Sequence, residues 1–471
     1  MDSNTYQLYI NNNWIDSESG ETIEIHSPWD NELIGKVQAA SATQATQAIE
    51  SAHEGYKFWR QASIGRRVSV FKKIIRSLKH DSDNLSQMLS KEIGKTLEEA
   101  QSEINRSIEY MELIIEAIKH MHGEIYYGEI FEKHLKGQKT GYYDRVPLGV
   151  VLAISPFNYP INLSITKIAP ALIAGNSVVL KPSTQGSLIS IAFYKHFTEA
   201  GLPNGVLNIV TGKSSEISSA LIQNPKTALI AFTGSTETGN RIASSIIKPI
   251  PLLFELGGKD FGIVTENADL DLAASEIVKG AFSYCGQRCT AQKGALVFNS
   301  VAEELINKIV AKVKEIGKQP MIDNSSADYV MELVNDARDN GANIVLEGER
   351  ESNYLSPYVI DIVTTNMRIF REEQFGPALP ITRVNSEEEA IHLANESAFG
   401  LQASVYTQDI DQAFRMAEQL EVGTVQINGR PNRGPDNFPF GGVKGSGQYM
   451  QALEESIELM TRGKLTVLNR A

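Results

Sequence analysis

Cysteine is nearly absent from this chain. Its 471 residues contain two, Cys285 and Cys289. That excludes a disulfide framework and leaves too few thiolates for a structural zinc site without histidines at ligand spacing. Basic residues are outnumbered: 44 Lys and Arg against 57 Asp and Glu give a net charge of −13, which argues against a nucleic-acid or anionic-membrane binder. No apolar run approaches the ~18 residues needed to span a bilayer. The opening residues carry neither the basic nor the apolar segment of a secretory signal. No repeat, low-complexity block or charged tail stands out. The expectation is a cytoplasmic enzyme without a metal, and 471 residues call for two or three domains.

The chain is organised around Phe282–Ala291, Phe-Ser-Tyr-Cys-Gly-Gln-Arg-Cys-Thr-Ala, which holds both cysteines. A helical pattern from about Leu270 (Leu270, Ala273, Ala274, Ile277, Ala281) runs into it and breaks at Gly286. Cys289 falls just past this helix end, beside Arg288 and among small residues. Access and a nearby positive charge there favour thiolate over a free-thiol pKa of about 8.5. Cys285, on the last helical turn, reads as a packed thiol.

Upstream, 41–123 is mostly helical, with apolar periodicity in Val68–Leu78 and Ile104–His120, the latter carrying Arg106. Aromatics at Tyr126, Tyr127, Phe131, Tyr142 and Tyr143 mark an extended hairpin over 124–144, suited to pairing with another subunit. Apolar runs at Gly149–Ile154, Ser177–Leu180, Val206–Val210 and Ala228–Phe232 then alternate with helical patterns, the order of a doubly wound parallel sheet. A second α/β set follows, with strands near Gly294–Phe298, Ile344–Leu346, Leu379–Thr382, Ala403–Tyr406 and Gly423–Ile427.

Ligands of such sheets lie at the carboxyl ends of the strands. The turns to inspect are therefore 155–160 with Asn158 and Tyr159, 181–184, 211–213 and 233–239. The last precedes a helix, where backbone N–H groups and the helix dipole favour phosphate, although Ser235 or Thr236 serves equally as a plain N-cap. Glu255, between apolar residues and a Gly pair, reads as a partly buried carboxylate with its pKa raised toward that of a general base. The alternative is a buried, salt-bridged Glu.

Together, Pro156-Phe-Asn158-Tyr-Pro, Lys181-Pro-Ser, Phe232-Thr-Gly-Ser-Thr, Glu255-Leu-Gly-Gly-Lys, Gly286-Gln-Arg-Cys289 and Glu373-Gln-Phe375-Gly-Pro resemble the aldehyde dehydrogenase superfamily, in order and spacing over essentially the whole chain. Within it, Asn158-Tyr159-Pro and Arg433-Gly-Pro-Asp-Asn-Phe-Pro-Phe440 resemble the NADP-dependent, non-phosphorylating glyceraldehyde-3-phosphate dehydrogenases. Two departures count against the narrower likeness. Gly-Gly-Val-Lys follows Phe440, as in general aldehyde dehydrogenases, and the segment 317–323 is shorter than usual. A general, semialdehyde or lactaldehyde NAD(P)-dependent dehydrogenase is the alternative.

The resemblance implies an α/β fold of two doubly wound domains plus a small β element: 1–123 and 145–255 for the cofactor, 256–449 for catalysis, 124–144 and 450–471 for assembly into a homotetramer. It implies that Cys289 adds to an aldehyde, that Asn158 and the Cys289 N–H hold the oxyanion, and that Glu255 activates water to hydrolyse the thioester left by hydride transfer. Lys181 and Glu373 would hold the cofactor riboses, Gly234 and Ser235 its pyrophosphate, and Phe375 would pack near the nicotinamide. NADP is expected over NAD. After Ser177–Leu180 no acid occurs until Glu199, and Lys181, Ser183 and Thr184, with Lys213 nearby, replace the usual ribose-binding carboxylate. Arg106, Tyr159, Arg288 and Arg433 would take a substrate phosphate, for which planar guanidinium forks are suited. A cysteine hydrolase would need a partnering His, and none of the eight lies in these motifs.

Overall fold

A computed structural model describes residues 4–470 apart from Lys133, Leu135 and Lys136. Short runs rich in Val, Ile and Leu, buried on both faces, pair in parallel as such runs do. Val150–Ile154, Ser177–Lys181, Leu207–Ile209, Thr227–Thr233 and Leu252–Glu255 form the parallel centre of an eight-stranded sheet. Its edges are antiparallel: the hairpin Leu8–Ile10/Asn13–Ile15 on one side and Gly447–Gln448 on the other. From Val150–Ile154 the chain winds one way through Ser177–Lys181 and Leu207–Ile209. It then returns to lay Thr227–Thr233 on the opposite side of Val150–Ile154. The crevice beyond that pair of strand ends is where ligands of open α/β sheets bind.

A seven-stranded sheet follows, in the order Asn343–Leu346, Tyr358–Asp361, Ala378–Val384, Gln292–Phe298, Asp260–Val264, Gln402–Tyr406, Thr424–Ile427. Only Asn343–Leu346 runs antiparallel to its neighbour. The sequence pattern misses Leu252–Glu255 and Asp260–Val264 as strands. Each is short and abuts the Gly257-Gly258 pair, and ladder partners distant in sequence decide them.

The expected hairpin forms as Glu124–Tyr127 paired with Lys139–Pro147, and Thr461–Asn469 pairs along the other side. Residues 133, 135 and 136 within it lie outside the described residues. Two early helices, Ile64–Ile93 and Leu97–Ala117, are longer than their apolar patterns and pack against Asn162–Ala174 and Ser187–Glu199. Among the described residues no helix is long and apolar enough to cross a membrane.

Candidate active site

Helix Leu270–Phe282 ends abruptly, and Tyr284, Cys285 and Gly286 take left-handed backbone with φ of 51°, 54° and 70°. Such a conformation costs a non-glycine residue roughly 1–2 kcal/mol, so the turn must be held from outside. The Tyr284 hydroxyl donates to Ile93 O (2.8 Å) and Cys285 N to Gln319 Oε1 (2.8 Å). Gln287 donates to Pro320 O (3.3 Å) and accepts from Ile322 N (2.8 Å). The short segment 317–323 is thus the buttress of the turn that presents Cys289. A Cβ on Gly286 would stand 2.5 Å from Gly376 O, so no larger residue fits there.

Cys289 and Asn158 line a cavity of about 670 Å³ beyond the ends of Val150–Ile154 and Thr227–Thr233. Asn158 Nδ2 donates to Gln287 O at 3.0 Å. Glu255, the last residue of its strand, lies with Oε1 3.9 Å from Cys289 Sγ. Its Oε2 accepts from Arg433 Nη1 at 2.7 Å and Gln451 Nε2 at 2.9 Å. Lys167, on the wholly buried helix Asn162–Ala174, donates to Thr233 Oγ1 (2.6 Å) and Leu163 O (2.9 Å).

Two electrostatic expectations are corrected. Burial pushes Glu255 up, but Arg433, Lys167 and Gln451 outweigh it and hold the carboxyl below its ordinary value. Glu255 is therefore the salt-bridged buried Glu. Nor does Arg288 put a charge beside the thiol: its Nη2 donates to Gly280 O at 2.5 Å, and its buried Nε has no partner. The cation next to the nucleophile is Lys293, which donates to Cys289 O at 2.6 Å and pairs with Glu373 at 3.0 Å. It does not suffice. Burial, then the charge of Glu255, push the Cys289 thiol up to about 12.

Motif reading missed Lys167, Lys293 and Gln451. The lone charged residue of helix Asn162–Ala174 was a signal for Lys167; Gln451 offered none.

Toward the cofactor side, Lys181 ends its strand with Nζ buried in the cavity wall, 3.5 Å from Pro182 O, and burial lowers its pKa to about 8. Ser183, Gly234 and Ser235 also line the cavity. Ser235 is at the same time the N-cap of Thr236–Ser245, accepting from Thr238 N at 3.3 Å, so the two readings of this turn coexist. Thr184 is exposed, and Lys213 is drawn to Glu21 and Glu216; neither is among the lining residues. Glu373 accepts from Gly258 N at 3.0 Å, and a Cβ on Gly257 would reach within 2.4 Å of its Oε2. Phe375, with φ of 32°, meets Phe157 edge-on at 6.0 Å between centroids. A nearly unpartnered ammonium, a helix N-terminus and a long crevice without an acid at the Lys181 turn fit a phosphorylated dinucleotide.

On the other side of Cys289, Arg106 reaches Asp436 (2.8 and 3.3 Å) in the loop that carries Arg433. Tyr159 packs edge-on to Tyr284 at 6.2 Å and lies beneath the Lys95 ammonium, 3.3 Å from the ring centroid. Among the described residues no cluster of His, Cys, Asp and Glu is arranged to hold a metal.

The aldehyde dehydrogenase family model matches residues 14–466. The NADP-dependent glyceraldehyde-3-phosphate dehydrogenase of Streptococcus equinus is 45% identical over 475 residues, 99% of each chain. The protein of that name from Pisum sativum is 42% identical, covering 100% of this chain and 96% of its own. A crystal structure of NADP-dependent glyceraldehyde-3-phosphate dehydrogenase from Bacillus halodurans C-125, complexed with NADP, aligns with a TM-score of 0.97 at 42% identity, over 99% of this chain and 100% of that one.

Proposed function

Because the chain belongs to the aldehyde dehydrogenase family, we propose that it oxidises glyceraldehyde 3-phosphate to 3-phosphoglycerate, irreversibly and without phosphorylation, with NADP as acceptor. The observation that carries the substrate is the approach of Arg106 to the Arg433 loop: a Cβ on Gly434 would lie 2.9 Å from Arg106 Nη2. In a chain of net charge −13, Arg106 and Arg433, paired with Asp436 and Glu255 in the free protein, bring two guanidinium forks to one loop, and their remaining donors suit a small dianion. The Tyr159 hydroxyl would complete the proposed phosphate site, with Arg288 joining it by releasing Gly280 O. The names of the 41–45% identical relatives support the same reading.

The steps follow from the residues. Cys289, once its proton has passed to solvent, bonds through Sγ to the aldehyde carbon, and Glu255, 3.9 Å away, stays a carboxylate for the later step. The carbonyl oxygen becomes an oxyanion held by the Asn158 amide and the Cys289 N–H. NADP, when bound, supplies the hydride acceptor, and Lys181, Ser183, Gly234, Ser235 and Glu373 would hold it with Phe375 alongside. Water activated by Glu255 then breaks the C–S bond of the thioester, releasing the acid and returning the thiol. The same reading divides the chain into 1–123 with 145–255, 256–449, and 124–144 with 450–471, and makes it a cytoplasmic homotetramer.

Arg433 is a poor probe of phosphate recognition. Arg433→Ala would strip Glu255 of its partner and harm every substrate. Arg106 pairs with Asp436 and not with Glu255, so its loss leaves the hydrogen bonds of Glu255 in place. Arg106→Ala should lower kcat/KM for glyceraldehyde 3-phosphate by roughly ten- to a hundredfold, the value of one charged hydrogen bond of about 1.5–3 kcal/mol. Unphosphorylated glyceraldehyde should be nearly unaffected. Equal losses on both aldehydes, or a parent enzyme that prefers the unphosphorylated one, would refute the phosphate reading.

A further inference from the structure

Lys95 and Glu103 form an ion pair of 2.5 Å, with side chains 1% and 0% exposed, outside the cavity and unused by the chemistry above. Burying two charges is costly, and replacing such a pair with neutral side chains of similar volume is often harmless to stability. Stability alone does not account for it. Its contacts do.

Glu103 Oε2 takes the ammonium, while Oε1 accepts from Ile161 N (3.0 Å) and Asn162 N (3.1 Å). Those two N–H groups open helix Asn162–Ala174, whose own N-cap residue, Ile161, offers no side-chain acceptor. The three residues before them are Asn158, Tyr159 and Pro160. The Lys95 ammonium stands 3.3 Å from the Tyr159 ring centroid and 4.9 Å from that of Tyr284. Tyr284 is the first left-handed residue of the nucleophile turn. Beneath it, Ile93 O takes the Tyr284 hydroxyl, and Ser90 Oγ donates to Lys95 O at 2.7 Å. One buried pair therefore touches both loops whose meeting makes the reaction centre.

We infer that Lys95 and Glu103 are positioning residues that set the register between the Asn158 loop and the Cys289 turn. Glu103 fixes the helix start behind Asn158. Lys95 then draws the faces of Tyr159 and Tyr284 toward one cation, so the oxyanion donor and the nucleophile are held at one separation. The inference rests on the roles proposed for Asn158 and Cys289. A displacement of either by about an ångström costs rate far more than affinity.

The test is the double variant Lys95→Met/Glu103→Gln, which removes both charges, keeps the volumes, and leaves an amide oxygen for Ile161 N and Asn162 N. Stopped-flow release of NADPH in the first turnover should slow roughly three- to thirtyfold, the worth of a cation–π contact of about 0.5–2 kcal/mol. The dissociation constant for NADP+, followed by quenching of protein fluorescence, and the urea midpoint should stay near the parent values. A first-turnover rate within twofold of the parent would overturn the inference, as would parallel losses of rate, cofactor affinity and stability. Should the double variant fail to fold, Tyr284→Phe keeps the ring but frees it from Ile93 O, and its first turnover should slow while NADP+ binding holds; an unchanged rate there also overturns it. Cys289→Ser separates the premise from the inference: residual turnover in that variant would discard the proposed chemistry, whereas its loss beside an unimpaired double variant would discard the positioning role alone.

Discussion

With its carboxylate 3.9 Å from the thiol, Glu255 raises the free energy of the Cys289 thiolate that the reaction needs. Removing that charge lowers the thiol pKa from about 12, so Glu255→Gln should be alkylated by iodoacetamide faster than the parent at about pH 8, because only the thiolate reacts. Slower alkylation would mean that the carboxylate takes the thiol proton even in the free enzyme. The same variant should release about one equivalent of NADPH per site and then stall, since its thioester lacks a base; steady turnover without a stall would remove Glu255 from deacylation. The sequence already singled out Cys289, Glu255 and Asn158. It did not show the sense of the Glu255 shift, because the cause, Arg433, lies 178 positions away. Sequence neighbours were equally poor guides to charge: Arg288 adjoins Cys289 and turns to Gly280, while Lys293 reaches back to it.

At the scale of strand, turn and helix, the first α/β set was readable because buried parallel strands are continuous apolar runs. What could not be read is how its helices are started. Ser187–Glu199 begins at Gly186, which has no side chain to cap with, and Glu92 from the end of Ile64–Ile93 does it instead, accepting from Gly186 N, Leu188 N and Ile189 N at 2.7–2.9 Å. A cap supplied by another helix leaves no local motif. Glu92→Ala should cost about 1–3 kcal/mol in urea unfolding, the penalty for buried donors left unmet. It should also weaken NADP+ binding, because the Lys181–Ser183 turn leads into that helix; stability lost with binding intact would detach the cap from the cofactor site. The turn itself has a pH signature. Burial holds Lys181 to a pKa of about 8, and a phosphate near it would favour the ammonium. NADP+ binding should therefore take up a proton, and affinity should fall as pH rises through about 8, well above the second phosphate pKa of about 6. Calorimetry in buffers of different ionisation heat measures the uptake; Lys181→Met should abolish it. Identical uptake in that variant would assign the proton elsewhere.

At the scale of the whole molecule, a three-stranded sheet leaves apolar side chains exposed. In the three-stranded sheet, Lys139–Pro147 is central and Thr461–Asn469 is an edge of nine residues, almost all exposed. Gly141 marks one face: a Cβ there would touch Leu465 and Tyr126, and Tyr126 meets Tyr143 edge-on at 6.2 Å. On that face Tyr126, Leu465 and Val467 are exposed, at 53%, 55% and 45%. A long edge with exposed apolar side chains and no Pro is a template for pairing with another chain. The aromatic content of 124–144 is the sequence's pointer to this face; the contribution of 461–469 needed the fold, because its apolar residues are spaced among Thr, Arg and Lys. The sheet is close to the site along the chain. Lys139–Pro147 runs within three residues of Val150–Ile154, the strand that ends at the Asn158 turn. Leu465→Lys/Val467→Lys adds two like charges to the apolar face without touching the cavity. Sedimentation velocity should show the parent as a tetramer and the variant as smaller species, with the core still folded by circular dichroism. A parent that already sediments as a monomer, or a variant that keeps the parent's size, would rule out this face as the assembly surface.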